Sequence, residues 1–224
     1  MNTVDKDSLK SVTAIDLFCG VGGFHYGIAS FGGKVVLASE AHKKTANIYA
    51  QNFDFVPNGD ITTIDETTIP DHDILCAGFP CQPFSISGKQ QGFEDTRGTL
   101  FFDIARIAKA KQPKILFLEN VYQLEAHDSG KTFSVITNTL DSIGYDVYYK
   151  IMNSADYGFP QSRKRIYIVC FRKDMGITSF EFPFPSDDVK HKYVKDIICK
   201  KGVEHYVINR SDIKITADDS AAEC

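Results

Sequence analysis

Apolar residues along the chain fall into two alternating patterns. Short continuous runs recur at 12–18 (VTAIDLF), 34–39 (KVVLAS), 73–77 (DILCA), 114–119 (KILFLE), 145–153 (YDVYYKIMN) and 165–171 (RIYIVCF), and these predict six strands. Between them, residues 22–31, 42–52, 99–111 and 131–143 have helical spacing. Leu100, Ile104, Ile107 and Ala108 share one face of the third helix, and Phe133, Ile136, Leu140 and Ile143 share one stripe of the fourth. Alternating strands and helices predict an α/β fold, a doubly wound and mostly parallel sheet with helices on both faces. The alternation fades after residue 176, which suggests a catalytic and cofactor-binding domain over 1–176 and a C-terminal extension over 177–224.

Ligands of such sheets bind beyond the carboxyl ends of the strands, and the chemically unusual residues fall there. Glycines 20, 22 and 23 follow the first strand and open a helix, in DLFCGVGGFHYG. They permit a tight turn and close backbone approach to a ligand. The spacing is not GxGxxG, so a pyrophosphate cradle fits poorly. Glu40 ends the second strand, where a carboxylate can accept both hydroxyls of a ribose. A nucleoside-containing cofactor without a pyrophosphate suits this pair; an ordinary glycine turn beside an exposed glutamate is the plain alternative.

Cys81, in GFPCQPFSISGKQ, raises a sharper question. Pro80 and Pro83 exclude regular helix or strand around it. The thiol is therefore presented rigidly at a strand end, and the polar stretch that follows has no helical or strand period. A long loop of this kind suits a nucleophile beneath a lid, although an inert surface thiol has the same local signature. Glu119 ends the neighbouring strand. Arg163 and Arg165 in QSRKR point the same way if that segment is extended, and a nearby cation favours a thiolate.

Composition narrows the classes. The 224 residues are 43% hydrophobic and 24% charged, enough for one globular domain with a full core. No apolar run approaches the roughly 20 residues that span a bilayer, and the polar N-terminus lacks a signal-peptide core, so a cytoplasmic protein is expected. Six cysteines stand without a CxxC pair or zinc-ligand spacing, so no metal is expected. The net charge of −4 argues against indiscriminate nucleic-acid binding. Residues 160–202 nonetheless carry ten Lys/Arg against five Asp/Glu, a local basic bias that suits phosphates or simply a solvated surface.

FCGVGG, GFPCQPFS, ENV and QSRKR, in this order, resemble the motifs of DNA (cytosine-5)-methyltransferases, above all the compact bacterial modification methylases paired with restriction enzymes. The likeness covers roughly residues 12–215. It implies a Rossmann-like, S-adenosylmethionine-dependent methyltransferase fold, double-stranded DNA as partner, and a cytosine flipped out of the duplex. By this resemblance Cys81 is the nucleophile at C6, Glu119 engages N3 and the exocyclic amine, Arg165 contacts the base O2, and Arg163 supports the site. Phe18, Gly20, Gly23, Glu40, Asp60, Ile61, Pro80 and Leu100 match the cofactor contacts. Gln82, Ser85, Ser87 and Lys89 fall on the loop that closes over DNA.

Two departures stand out. Ala41 replaces an aromatic residue that stacks on the adenine in the resembled enzymes, which implies weaker cofactor binding. The family continues for another hundred or so residues, with a target-recognition region and a final Gly-Asn motif, and this chain has no Gly-Asn dipeptide. Weak or absent activity of the chain alone is therefore expected, whether as a split enzyme with a second polypeptide, a truncated gene or an engineered fragment. A non-catalytic S-adenosylmethionine-binding module is the alternative. A Rossmann oxidoreductase with a redox cysteine is disfavoured by the glycine spacing and the missing CxxC.

Overall fold

The computed structural model describes residues 11–80, 100–185 and 192–197. Six strands form one sheet: β1 (Thr13–Leu17), β2 (Lys34–Ser39), β3 (Ile74–Gly78), β4 (Ile115–Val121), β5 (Tyr145–Asn153) and β6 (Lys164–Arg172), in the order β2-β1-β3-β4-β6-β5. Neighbours from β2 to β4 are parallel. The last two strands depart from a simple continuation. They form an antiparallel hairpin, and β6 inserts between β4 and β5, antiparallel to both. The start of β6 therefore arrives beside the end of β4, with Arg165 opposite Val121 and Tyr167 opposite Glu119.

Four helices link these strands: α1 (Gly23–Ser30), α2 (Lys43–Phe53), α3 (Leu100–Lys111) and α4 (Lys131–Ser142). Both α3 and α4 lie on one face. Their stripes, including Ile104, Ile107, Ile136 and Leu140, pack on Leu75, Leu116, Leu118 and Ile168 in the main core. Full burial of each such side chain contributes about 1.5–3 kcal/mol relative to exposure. On the opposite face α1 and α2 cover β1 and β2, where Ile28 and Tyr49 pack on Ala14, Val35 and Ala38. Among the described residues this second layer stops short of β6. An open groove of about 1030 Å³ runs beside α1 over Phe117, Tyr167 and Val169. Helices are thus present on both faces as expected, but unequally.

Candidate active site

The first site region is the turn after β1. Phe18 leaves the strand with φ 55°, a left-handed geometry that costs a non-glycine residue about 1–2 kcal/mol. Gly20 and Gly22 follow at φ 56° and 99°. Gly22 is doubly required, because a Cβ there would lie 1.9 Å from the Phe53 ring. Two backbone bonds close the turn, Cys19 N–H to Ser39 O and Gly22 N–H to Cys19 O, both 2.9 Å. Glu40, just past β2, ties the two strand ends together. Its Oε2 accepts from Gly20 N–H at 3.0 Å and its Oε1 from His42 N–H at 2.8 Å. Backbone donors thus position this carboxylate before any ligand arrives.

Asp60 and Ile61 lie in the connection between α2 and β3, and Leu100 begins α3. Asp60 Oδ1 accepts from Thr62 N–H at 3.0 Å and starts the short helical turn Ile61–Thr63. Arg106 of α3 holds this turn in place. It donates to Ile61 O and to Glu66, each at 2.7 Å, and to Asp103 at 2.8 Å. Ile61 is buried in the main core, with Phe18 and Leu100 packed against that core.

The second region lies at the ends of β3, β4 and β6. Glu119 and Arg165 form an ion pair at 2.8 Å, and Arg163 approaches the same Oε1 at 3.6 Å. The other carboxylate oxygen faces the backbone of Gly78, where an added Cβ would lie 3.5 Å away. Alternation along β4 sends the next side chain to the opposite face. There Asn120 is buried, and its Nδ2 donates to Phe79 O at 3.0 Å. Its Oδ1 accepts from Val121 N–H at 2.8 Å. Asn120 thereby fixes the exit of β3 immediately before Pro80. Cys81, Gln82, Ser85, Ser87 and Lys89 lie outside the described residues.

Sequence reasoning overlooked Asn120, Arg106 and Asp16. Asp16 carried a visible signal, being an acidic residue inside an apolar parallel strand. Its side chain is buried and neither oxygen has a hydrogen bond of good geometry. Burial pushes its pKa up to about 7; the backbone N–H of His25 opposes that shift and the charge of Glu40 adds to it. We read the His25 contact as a polarising neighbour rather than a full hydrogen bond. Close by, His25 Nδ1 sits 2.6 Å from the Tyr49 hydroxyl, which ties α1 to α2. Cys19 and Cys76 are buried, and burial raises both thiol pKa values, as befits inert core sulfurs. Among the described residues no His, Cys, Asp and Glu group could hold a metal ion, and no helix is long and apolar enough to cross a membrane.

Comparison with known proteins agrees with this arrangement. Residues 12–221 match the family model of C-5 cytosine-specific DNA methylases. The chain is 49% identical over 217 residues to the type II methyltransferase M.HhaI of Haemophilus parahaemolyticus, covering 96% of this chain and 66% of that protein. It is 55% identical over 171 residues to M.NgoBI of Neisseria gonorrhoeae, covering 76% of this chain and 53% of that protein. The chain thus spans between about half and two thirds of these relatives. A putative DNA modification methyltransferase encoded within an Escherichia coli prophage shares the fold, with TM-score 0.67 at 24% identity over 83% of this chain and 54% of its own. A six-stranded sheet of this order, bearing the glycine turn, the Glu119–Arg165 pair and this extent of identity, places the chain in the C-5 cytosine-specific DNA methylase family.

Proposed function

We propose that this chain is the catalytic portion of a DNA (cytosine-5)-methyltransferase of a restriction-modification system, acting in the cytoplasm on a cytosine flipped from duplex DNA. The observation that carries the reading is the ion pair of Glu119 with Arg165 at the strand ends, one residue from the Asn120 clamp on the Phe79 carbonyl. A carboxylate so placed suits N3 and the exocyclic amine of a base. Arg165, shared between that carboxylate and the base O2, stabilises charge as it develops.

The residues present suit S-adenosylmethionine. Glu40 spends one lone pair of each oxygen on backbone N–H groups and keeps acceptor capacity for ribose hydroxyls. The glycine turn offers backbone without side chains, with Phe18, Asp60 and Ile61 as the adenine contacts and Pro80 and Leu100 as further cofactor contacts. The cofactor supplies an electrophilic methyl group and leaves as S-adenosylhomocysteine.

The chemistry assigned to the chain's own residues is as follows. The Cys81 thiolate adds to C6 of cytosine, which makes C5 nucleophilic. A proton shared between the Glu119 carboxyl group and N3 neutralises the charge that develops there, and Arg165 stabilises the charge on O2, with Arg163 in support. After methylation at C5, loss of the C5 proton and expulsion of Cys81 restore the ring. Gln82, Ser85, Ser87 and Lys89 contact the DNA around the extruded base. Residues 1–176 form the catalytic domain, and 177–224 form a C-terminal extension from it.

The test is covalent trapping on a duplex containing 5-fluorocytosine, with S-adenosylmethionine, for the chain alone and with the part of M.HhaI that it does not match. Adduct that Cys81→Ser abolishes supports the reading. Cofactor binding with no adduct in either arm would instead establish the non-catalytic binding module.

A further inference from the structure

The connection between α2 and β3 contains a short tandem pattern, DITTI (60–64) followed directly by DETTI (65–69). Each copy folds into the same single helical turn, Ile61–Thr63 and Glu66–Thr68. In each, the aspartate accepts from the threonine two places on: Asp60 Oδ1 from Thr62 N–H at 3.0 Å, and Asp65 Oδ1 from Thr67 N–H at 2.8 Å. The closing isoleucine then donates to the carbonyl of the second residue, Ile64 N–H to Ile61 O at 3.2 Å and Ile69 N–H to Glu66 O at 3.3 Å. A single turn is too short to persist on its own, because its few hydrogen bonds do not offset the cost of nucleation. One guanidinium joins the two copies. Arg106 reaches the second position of each, with Nη2 donating to Ile61 O and Nη1 to Glu66 Oε2, while Nε donates to Asp103 of its own helix. The rigid planar fork serves three acceptors in three directions, which a lysine ammonium on a flexible stem does not reproduce.

We propose that Arg106 is a positioning residue for the purine of the cofactor: by fixing the Ile61 peptide against α3 it holds the Asp60 carboxylate where an exocyclic amine can donate to it, so that the site selects adenine over hypoxanthine through a side chain whose three nitrogens are all engaged by the protein. The inference rests on the methyltransferase reading and deepens its cofactor site. Asp60 accepts from both Thr62 N–H and Thr62 Oγ1 through Oδ1 alone, which leaves the acceptor capacity of Oδ2 for a ligand. An ionised carboxylate only accepts, so it pairs with the amine of adenine and repels the oxo group that hypoxanthine carries in its place. That discrimination requires the carboxylate to stay in position. A turn free to swing lets it retreat into water, and the preference disappears. Leu100 opens the helix that carries Arg106, so a cofactor contact and the clamp on the opposing turn belong to one rigid element.

The experiment measures, by calorimetry on the full 224-residue chain, the binding of S-adenosylhomocysteine and of S-inosylhomocysteine, in which an oxo group replaces the exocyclic amine. The unsubstituted protein is expected to prefer the adenine form by at least about tenfold. Arg106→Ala is expected to weaken S-adenosylhomocysteine by about tenfold and S-inosylhomocysteine little, so that the preference collapses toward unity. Arg106→Lys, which keeps the charge without the fork, is expected to fall between. Glu66→Ala removes only the outer anchor and is expected to lower the preference about threefold with little change in melting temperature, since its ion pair is partly exposed. Equal weakening of both ligands by Arg106→Ala overturns the proposal, because Arg106 then merely supports the fold. So does a preference that the substitutions leave untouched. Where Arg106→Ala fails to fold, Arg106→Lys and Glu66→Ala decide, and an unchanged preference in both overturns the proposal. The two levels fail differently. An unsubstituted protein that binds neither ligand sinks the methyltransferase reading and this inference with it, whereas selective binding indifferent to Arg106 sinks the inference alone.

Discussion

Two carboxylates stand near the carboxyl ends of two strands of the same sheet, Glu40 after β2 and Glu119 in β4, and they are held in opposite ways. Glu40 takes backbone N–H groups from Gly20 and His42, which belong to two different connections. Neither donor can leave without moving main chain. Glu119 is held by side chains, Arg165 at 2.8 Å and the more exposed Arg163 at 3.6 Å. Guanidinium groups on long stems can swing without moving main chain, and an exposed contact such as that of Arg163 contributes no more than about 1 kcal/mol. The first arrangement suits a group that binds the same hydroxyls in every cycle. The second suits a group that must exchange a protein partner for a base and then recover it.

This contrast can be broken experimentally. The largest effect is expected from Glu119→Gln, which keeps shape and removes charge. Methyl transfer should fall by about 10²–10³-fold, with S-adenosylhomocysteine affinity unchanged in calorimetry. A parallel loss of cofactor binding would mean that the two regions are not separate.

Next is the buried Asp16 beneath the glycine turn. Its folded pKa of about 7 lies above the usual unfolded value of about 3.9. The folded protein therefore holds more protons than the unfolded chain between these values, and stability falls as pH rises through that window. Asp16→Asn should remove this cost. Its stability gain in urea titrations should be about 2–4 kcal/mol at pH 8 and close to zero at pH 3.5. A gain independent of pH would show that burial of the charge is not the cause.

Glu40→Ala removes acceptors of charge-assisted hydrogen bonds. S-adenosylhomocysteine should bind about ten- to a hundredfold more weakly, while adduct formation at saturating cofactor persists. The smallest change belongs to Arg163→Ala, about threefold in methyl-transfer rate, because an exposed partner at long range contributes little. An effect as large as that of Glu119→Gln would make Arg163 a principal contact.

Much of the fold is legible in the residues, for identifiable reasons. KVVLAS and YDVYYKIMN are apolar or β-branched runs with clear boundaries, and the strands built from them match those runs residue for residue. The direction of β6 was not legible. RIYIVCF looks the same whether it runs parallel or antiparallel, and only long-range pairing with β4 decides. Within the site, the two-residue spacing of Arg163 and Arg165 is a local signal that survives folding, and both reach Glu119. Asn120 carries its message only in three dimensions. Its partner, the Phe79 carbonyl, is 41 positions away, and no local pattern announces that contact. Arg106 is similar, since its partners in the 61–66 region become neighbours only once α3 packs.

The hairpin of β5 and β6 has a wider meaning. A purely parallel sheet brings only strand exits to its reactive edge, so every functional side chain there must come from a departing segment. By running backwards between β4 and β5, β6 delivers an entering segment to that edge and aims Arg165 from it. The connection over residues 154–163 then acts as a lever arm. Lengthening it away from the strand leaves register intact, whereas inserting a single residue inside the start of β6 would turn the arginine to the reverse side of the sheet. Natural or designed variation in this neighbourhood should therefore tolerate changes of loop size far better than changes of strand phase.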